Sequence, residues 1–188
     1  MIFYKKGNIF DFIYEGRYDI ILQGCNCFCK MDDGIALQFA QHFPEVLLAD
    51  LKTQFKDKSK LGTFVPISIE RFDNKFQILN CYTQFAFAGH DIETFDYFDY
   101  DSFETILKKI SLYDKKTRIG MPLIGSGHAG GDVERILQLI EKYLSQHNVE
   151  IALYNSQFLP KQYMSLKNQL KISWDDFLEA VKSLWVLS

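Results

Sequence analysis

Two stretches of this 188-residue chain hold residue types and spacings that could do chemistry. Residues 121–135, MPLIGSGHAGGDVER, carry glycines at 125, 127, 130 and 131. An apolar run over 119–124 enters the stretch and an apolar-periodic segment leaves it, so a glycine-rich loop joins a strand end to a helix start. Glycine lets backbone approach a ligand closely and take positive φ. The first N–H groups of a helix have no intrahelical partner and lie at the positive end of its dipole. A phosphate or pyrophosphate suits such a loop, although similar turns also occur with no ligand. His128 inside it can protonate a leaving oxygen or attack phosphorus, or only hydrogen-bond the loop. GSGHAG also spells the dinucleotide fingerprint, but that motif needs βαβ units to follow and an acidic residue about 20 positions on. One strand-like run follows here, with Glu150 at its start, so that reading is set aside. There is no G-K-[ST], hence no Walker loop.

The second stretch is 23–34, QGCNCFCKMDDG, at the exit of the apolar run 18–22. Asn26 cannot do acid–base work but can position a sugar or a water. Asp33, beside Asp32, is either an activator of water or a solvated loop acid. Cys25, Cys27 and Cys29 tempt a zinc reading. Structural zinc sites pair C-x₂₋₄-C with a second ligand pair, and Cys81 and the four histidines offer no pair spacing. Small residues alternating beside a ligand are the simpler account, and neither a metal nor a cofactor is expected.

The elements that must position these loops follow from periodicity. Residues 2–4 and 18–22 read as strands, the second buried on both faces. Asn8 can cap a helix through Ile9, Phe12 and Ile13. A helix follows Gly34, and Pro44 stops it and opens the next one. Residues 64–69 and 76–82 form a hairpin pattern. Helices are predicted over 102–113 and, capped by Asp132, over 133–144, with a last strand at 149–154. Residues 85–101 form a long irregular segment, either a solvated acidic loop with aromatic anchors or a flap over a ligand. An apolar-faced helix begins at Ser173. Alternating strands and helices give an α/β fold. We expect a three-layer αβα domain over 1–155 with a central, mixed, mostly parallel sheet of about six strands. A helical extension over 156–188 would pack on the core or on a partner. In parallel neighbours the loops after Gln23, Tyr82 and Ile124 share one sheet edge and converge.

Net charge is −3, from 21 basic and 24 acidic residues, which argues against holding nucleic acid by bulk electrostatics. No apolar run reaches membrane-spanning length and the N-terminus lacks signal-peptide order, so a cytoplasmic protein with reduced cysteines is expected.

These motifs, in this order, resemble the macro domain, the ADP-ribose-binding module, over residues 1–155. Gly7-Asn8-Ile9 stands at the family's Gly-Asp-Ile, and Gly24-Cys25-Asn26 at its Asn-Ala-Ala-Asn signature. Gly34-Ile35 stands at the Gly-Val closing the first loop. Tyr82-Thr83-Gln84 and the run Ile124-Gly125-Ser126-Gly127-His128-Ala129-Gly130-Gly131-Asp132 are similar to a subgroup that includes ADP-ribose-1''-phosphate phosphatases and bacterial and phage macro proteins. The resemblance implies that residues 7–9 meet adenine, that Asn26 holds the distal ribose, and that 30–36 and 125–131 wrap the phosphates. It thus adds Gly7, Asn8, Ile9, Gly24, Cys25, Met31, Asp32, Gly34, Ile35, Thr83, Gln84, Ile124, Gly125, Ser126, Gly127, Ala129 and Gly130 as ligand contacts beside Asn26, Asp33 and His128, which the residue chemistry above makes the candidate catalytic groups. The implied activity is dephosphorylation of ADP-ribose-1''-phosphate. Alternatives are removal of ADP-ribose from protein or nucleic acid, and non-catalytic binding of ADP-ribose or another NAD-derived nucleotide. The chain departs from the family at Asn8, where aspartate is usual, and at Asp32-Asp33-Gly34, where glycines are usual. Gln84 and, approximately, Ala129 stand where one subgroup has its Lys and Asp, which argues against a lysine-adduct mechanism.

Overall fold

A computed structural model describes residues 1–71, 73–87 and 97–153. Its strands are Ile2–Lys6 (β1), Ile20–Asn26 (β2), Phe64–Arg71 (β3), Asn74–Gln84 (β4), Arg118–Pro122 (β5) and Asn148–Leu153 (β6). They form one sheet in the order β1-β6-β5-β2-β4-β3. All neighbours are parallel except β3 and β4, the antiparallel hairpin. The helices are Ile9–Tyr14 (α1), Gly34–His42 (α2), Pro44–Leu51 (α3), Tyr100–Ile110 (α4) and Val133–Leu144 (α5).

Side-chain alternation along β2 divides the core in two. Ile20 and Leu22 point to one face, where Phe103, Ile106 and Leu107 of α4 and Ile136, Leu137 and Ile140 of α5 cover them. Ile21 and Cys25 point to the other, under Phe10 and Ile13 of α1, Phe39 of α2 and Val46 of α3. A central strand buried on both faces has to be apolar throughout, which is why 18–22 lacks a polar alternation. The result is the expected three-layer arrangement.

Local signals set the helix starts. The Asn8 side chain accepts from Phe10 N–H, Asp99 from Ser102 N–H and Asp132 from Arg135 N–H. Pro44 occupies the first turn of α3. β2 continues past Gln23, where a loop was expected, because its parallel pairing with β4 runs on through Gly24 and Cys25 and ends in an irregularity before Asn26. α4 starts earlier than expected, since Asp99 rather than a later residue supplies the cap. The helix expected from Ser173, the extension 156–188 and most of the 85–101 segment lie outside the described residues. No helix among the described residues is long and apolar enough to cross a membrane.

α4 and α5 are clipped together at Glu104, whose carboxylate accepts from Tyr143 O–H and, at 2.9 Å, from Lys142 Nζ. These bonds, Tyr143's first, hold the carboxyl down at about 2. A carboxyl held below its unfolded value stabilises the fold above the ordinary glutamate range and loses that contribution as pH falls through its folded value. Glu104→Gln is therefore expected to melt below the parent at pH 7. The gap should close as pH is lowered from 4.5 towards about 2, as read by thermal melts across that range.

Candidate functional site

The carboxyl ends of β2, β4, β5 and β6 open into a cavity of about 580 Å³, a size suited to a nucleotide-sized ligand. Gly24 and Asn26 of β2, Thr83 and Gln84 of β4, Pro122 of β5 and Ala152 of β6 form its floor. Asn8 and Ile9, at the start of α1, lie on its wall, as do the start of α2 and residues 123–129. Both glycine-bearing loops thus reach one crevice, as parallel strand ends require.

The loop after β5 is built on Phe98. A side chain at Gly125, where φ is 83°, would come within 2.3 Å of the Phe98 ring, and one at Gly131 within 3.0 Å of it. The ring excludes a β-carbon at Gly125; at Gly131 the Gly125 carbonyl oxygen, 2.9 Å from such an atom, does so with help from the ring and Ile136. Ala129 C=O accepts from the N–H groups of Tyr97 and Phe98, and Asp99 N–H bonds Thr83 C=O, stitching the 97–99 segment between this loop and the end of β4. Gly131 N–H bonds Gly125 C=O and Gly130 N–H bonds Gly127 C=O. The N–H groups of Gly125, Gly127 and Ala129 hydrogen-bond no other described residue. Unspent donors on a cavity wall are what an anion needs.

The first loop is organised by two side chains. Asn26 Oδ1 accepts from Phe28 N–H and Lys30 N–H, and Asn26 Nδ2 donates to Lys30 C=O at 2.7 Å. One N–H of that amide is left for the cavity. Asp33 caps α2 by accepting from Gly34 N–H at 2.7 Å, leaving the next two N–H groups, of Ile35 and Ala36, without a bond among the described residues. The second Asp33 oxygen lies 2.6 Å from Nδ1 of His128. The two loops therefore meet across the mouth through a carboxylate–imidazole pair that is well exposed. Asp32 pairs with Lys30 at 3.1 Å. Lys30 thus offsets the charge of one of the two carboxylates facing the anion site, and the His128 imidazole partners the other.

Four of the expected contacts do not line the cavity. Cys25 alternates with Gly24 and Asn26 and so points into the opposite core; Met31 is buried in that same core. Gly7 lies against the Phe12 ring, and Gly130 closes the turn back onto Gly127. Gln23, the neighbour of Gly24, is fully buried, and its amide donates to Asn80, which in turn reaches Val46 C=O at 2.8 Å. Gly24 is the member of that pair on the cavity. A β-carbon there would lie 2.9 Å from Ile124 and 3.2 Å from the Thr83 hydroxyl, so the floor is closed to side chains. Lys30, Ala36, Gln38, Phe87, Pro122, Leu123 and Ala152 also line the cavity. Ala152 follows from its register partner Pro122, and Lys30 and Phe87 from the loops that hold them.

No known family profile matches the chain. An uncharacterised 17.5 kDa protein from the tk-vs intergenic region of Enterobacteria phage T4 is 30% identical over 154 residues, which are 79% of this chain and 94% of the phage protein. The macrodomain of Mycobacterium tuberculosis DarG superposes with a TM-score of 0.60 at 21% identity, over 81% of this chain and 97% of that one. The chain belongs to one family with the phage protein, and its fold is that of a macrodomain.

Among solved macrodomain structures, Thermosipho africanus DarTG in complex with ADP-ribose superposes with a TM-score of 0.64 at 17% identity, over 85% of this chain and 43% of that longer one. A protein of unknown function from Bacteroides thetaiotaomicron gives 0.66 at 23% identity, over 81% of this chain and 97% of that one. In this macrodomain the six-stranded order, the two loops and the crevice between them form one frame.

Proposed function

We propose that this macrodomain binds ADP-ribose-type ligands and removes the terminal phosphate of ADP-ribose-1''-phosphate. The observation that carries the reading is the convergence of two loops with unspent N–H groups on one cavity, bridged by Asp33 and His128. In this reading the adenosine end lies by Asn8 and Ile9. Asn8 Oδ1 already serves the α1 cap, so its amide Nδ2 is the group left to donate to a ring nitrogen. The diphosphate lies against the start of α2 and the loop after β5, where backbone dipoles favour negative charge. Asn26 offers its remaining N–H to the distal ribose.

Phosphoryl transfer from a monoester leaves charge on the departing oxygen and needs positioning and electrostatic stabilisation rather than covalent work. His128 is the group that protonates that oxygen. Asp33 accepts from Nδ1–H and so turns Nε2 towards the substrate. Water supplies the attacking oxygen, and the products are ADP-ribose and inorganic phosphate.

The test is direct. Calorimetry with ADP-ribose should give one saturable site, and incubation with ADP-ribose-1''-phosphate should release phosphate above background. Binding without release would leave a sequestering module; absence of both would remove the reading. A second reading, hydrolysis of ADP-ribose from a modified protein or nucleic acid, draws support from the exposure of Asp33 and His128 at the mouth, within reach of a bulky substrate. Release of ADP-ribose from such a substrate, with no phosphate from the monoester, would select it.

A further inference from the structure

Behind the first loop lies a cluster of reactive groups that ligand binding does not use. Lys60 is almost fully buried, and its Nζ lies 3.2 Å from Sγ of Cys29 and 2.9 Å from Oγ1 of Thr53. Asp50, also buried, stands 3.8 Å from the same Nζ through Oδ1, which accepts from Tyr82 O–H at 2.7 Å. Its other oxygen, Oδ2, is buried and has no hydrogen-bond partner among the described residues. Cys29 takes a left-handed backbone, φ 53°, which a side chain rarely adopts, and its thiol reaches Asp50 C=O at 3.2 Å. Of the chain's four cysteines, Cys25, Cys27 and Cys81 are buried, and Cys29 alone is partly exposed. Burial pushes the thiols of Cys25 and Cys81 up, and that of Cys27 to about 11.

We propose that Cys29 and Lys60 form an oxidative modification site, at which hydrogen peroxide drives a reversible covalent bond between Sγ and Nζ. In the first step the sulfur attacks peroxide, the O–O bond breaks, and the products are the sulfenic acid and water; sulfur loses two electrons and peroxide gains them. In the second, the neutral amine of Lys60 attacks the sulfenic sulfur. An S–N bond forms, the S–O bond breaks, and the hydroxyl leaves as water with a proton from nitrogen. The proton that Lys60 must first give up has a destination in Asp50, whose free Oδ2 lacks a donor and whose carboxyl burial pushes upward. Sulfenic acids condense in this way with a nitrogen held next to them, and the contact between Sγ and Nζ is already made in the reduced protein. The new bond would pin the turn at Cys29, one residue from the cavity-lining Lys30, to the segment before β3.

Intact-mass and peptide mass spectrometry of the full chain after brief peroxide treatment test the proposal. The expected product is lighter by two hydrogen atoms, yields a joined peptide containing Cys29 and Lys60, and reverts with a thiol reductant. Lys60→Arg retains the charge but not the amine, and should instead add two or three oxygens at Cys29. Cys29→Ser, which leaves the lysine in place, should show neither product. Overoxidation of the parent chain at Cys29 with Lys60 unmodified, or no reaction at Cys29, would overturn the proposal.

Discussion

Gly127→Glu is expected to lower ADP-ribose affinity by at least about 100-fold, a loss of ~3 kcal/mol, with the fold intact. The position is chosen for its backbone. Gly125 and Gly130 sit at φ 83° and 74°, where a side chain costs strain, whereas Gly127 is not in the left-handed region. Gly127 lines the cavity between the unspent N–H groups of Gly125 and Ala129. A carboxylate there fills the space a phosphate needs and repels it. Calorimetry would measure the affinity, with circular dichroism confirming an unchanged fold. Retained affinity in a folded variant would mean that the ligand's phosphates do not lie against this loop.

His128→Ala should reduce phosphate release by about 100- to 10,000-fold, the usual contribution of a positioned general acid. ADP-ribose binding should stay within a few-fold, because the backbone donors remain. Asp33→Asn should give a smaller loss in kcat. The amide keeps one acceptor oxygen, enough for Gly34 N–H, but presents an NH2 donor to the imidazole and carries no charge. Steady-state kinetics on the two variants separate the roles: a drop in kcat with little change in KM is expected for His128. Unchanged turnover in His128→Ala would remove it from the chemistry.

Much of the fold was legible because local and long-range signals agreed. Asn8, Asp99 and Asp132 cap the helices that follow them, and two of those three caps could be read from the residue type and the periodic run behind it. The apolar run of β2 announced a strand covered on both sides. Its extension to Asn26 did not show in composition, because Gln23, Gly24 and Asn26 are polar or small; the pairing with β4 carries them. Buried Gln23 is tolerated there because Asn80 accepts from its amide.

The site was legible as two loops but not as their internal economy. Glycines at 125 and 131 read as ligand-approach positions, yet Phe98, nearly thirty residues upstream, demands the first, and the carbonyl of Gly125 the second. Nothing in the spacing of Asp33 and His128 shows that they meet, since that contact spans the width of the crevice. Asp33 was legible as an acid in a glycine loop, but its double duty as helix cap and imidazole partner depends on where α2 begins. Lys30 stood at the start of the expected phosphate loop, but its pairing with Asp32 and its closure on Asn26 did not show in the sequence.

The ring of Phe98 has a consequence for how such a protein could change over time. Because it bars a side chain at 125 from the core side, that position is held by the fold, as are Ser126, bonded to Leu123 C=O, and Ala129, packed in the core, while 127 and 128 face the guest. Drift towards a new nucleotide can therefore be explored in two adjacent codons without first dismantling the domain.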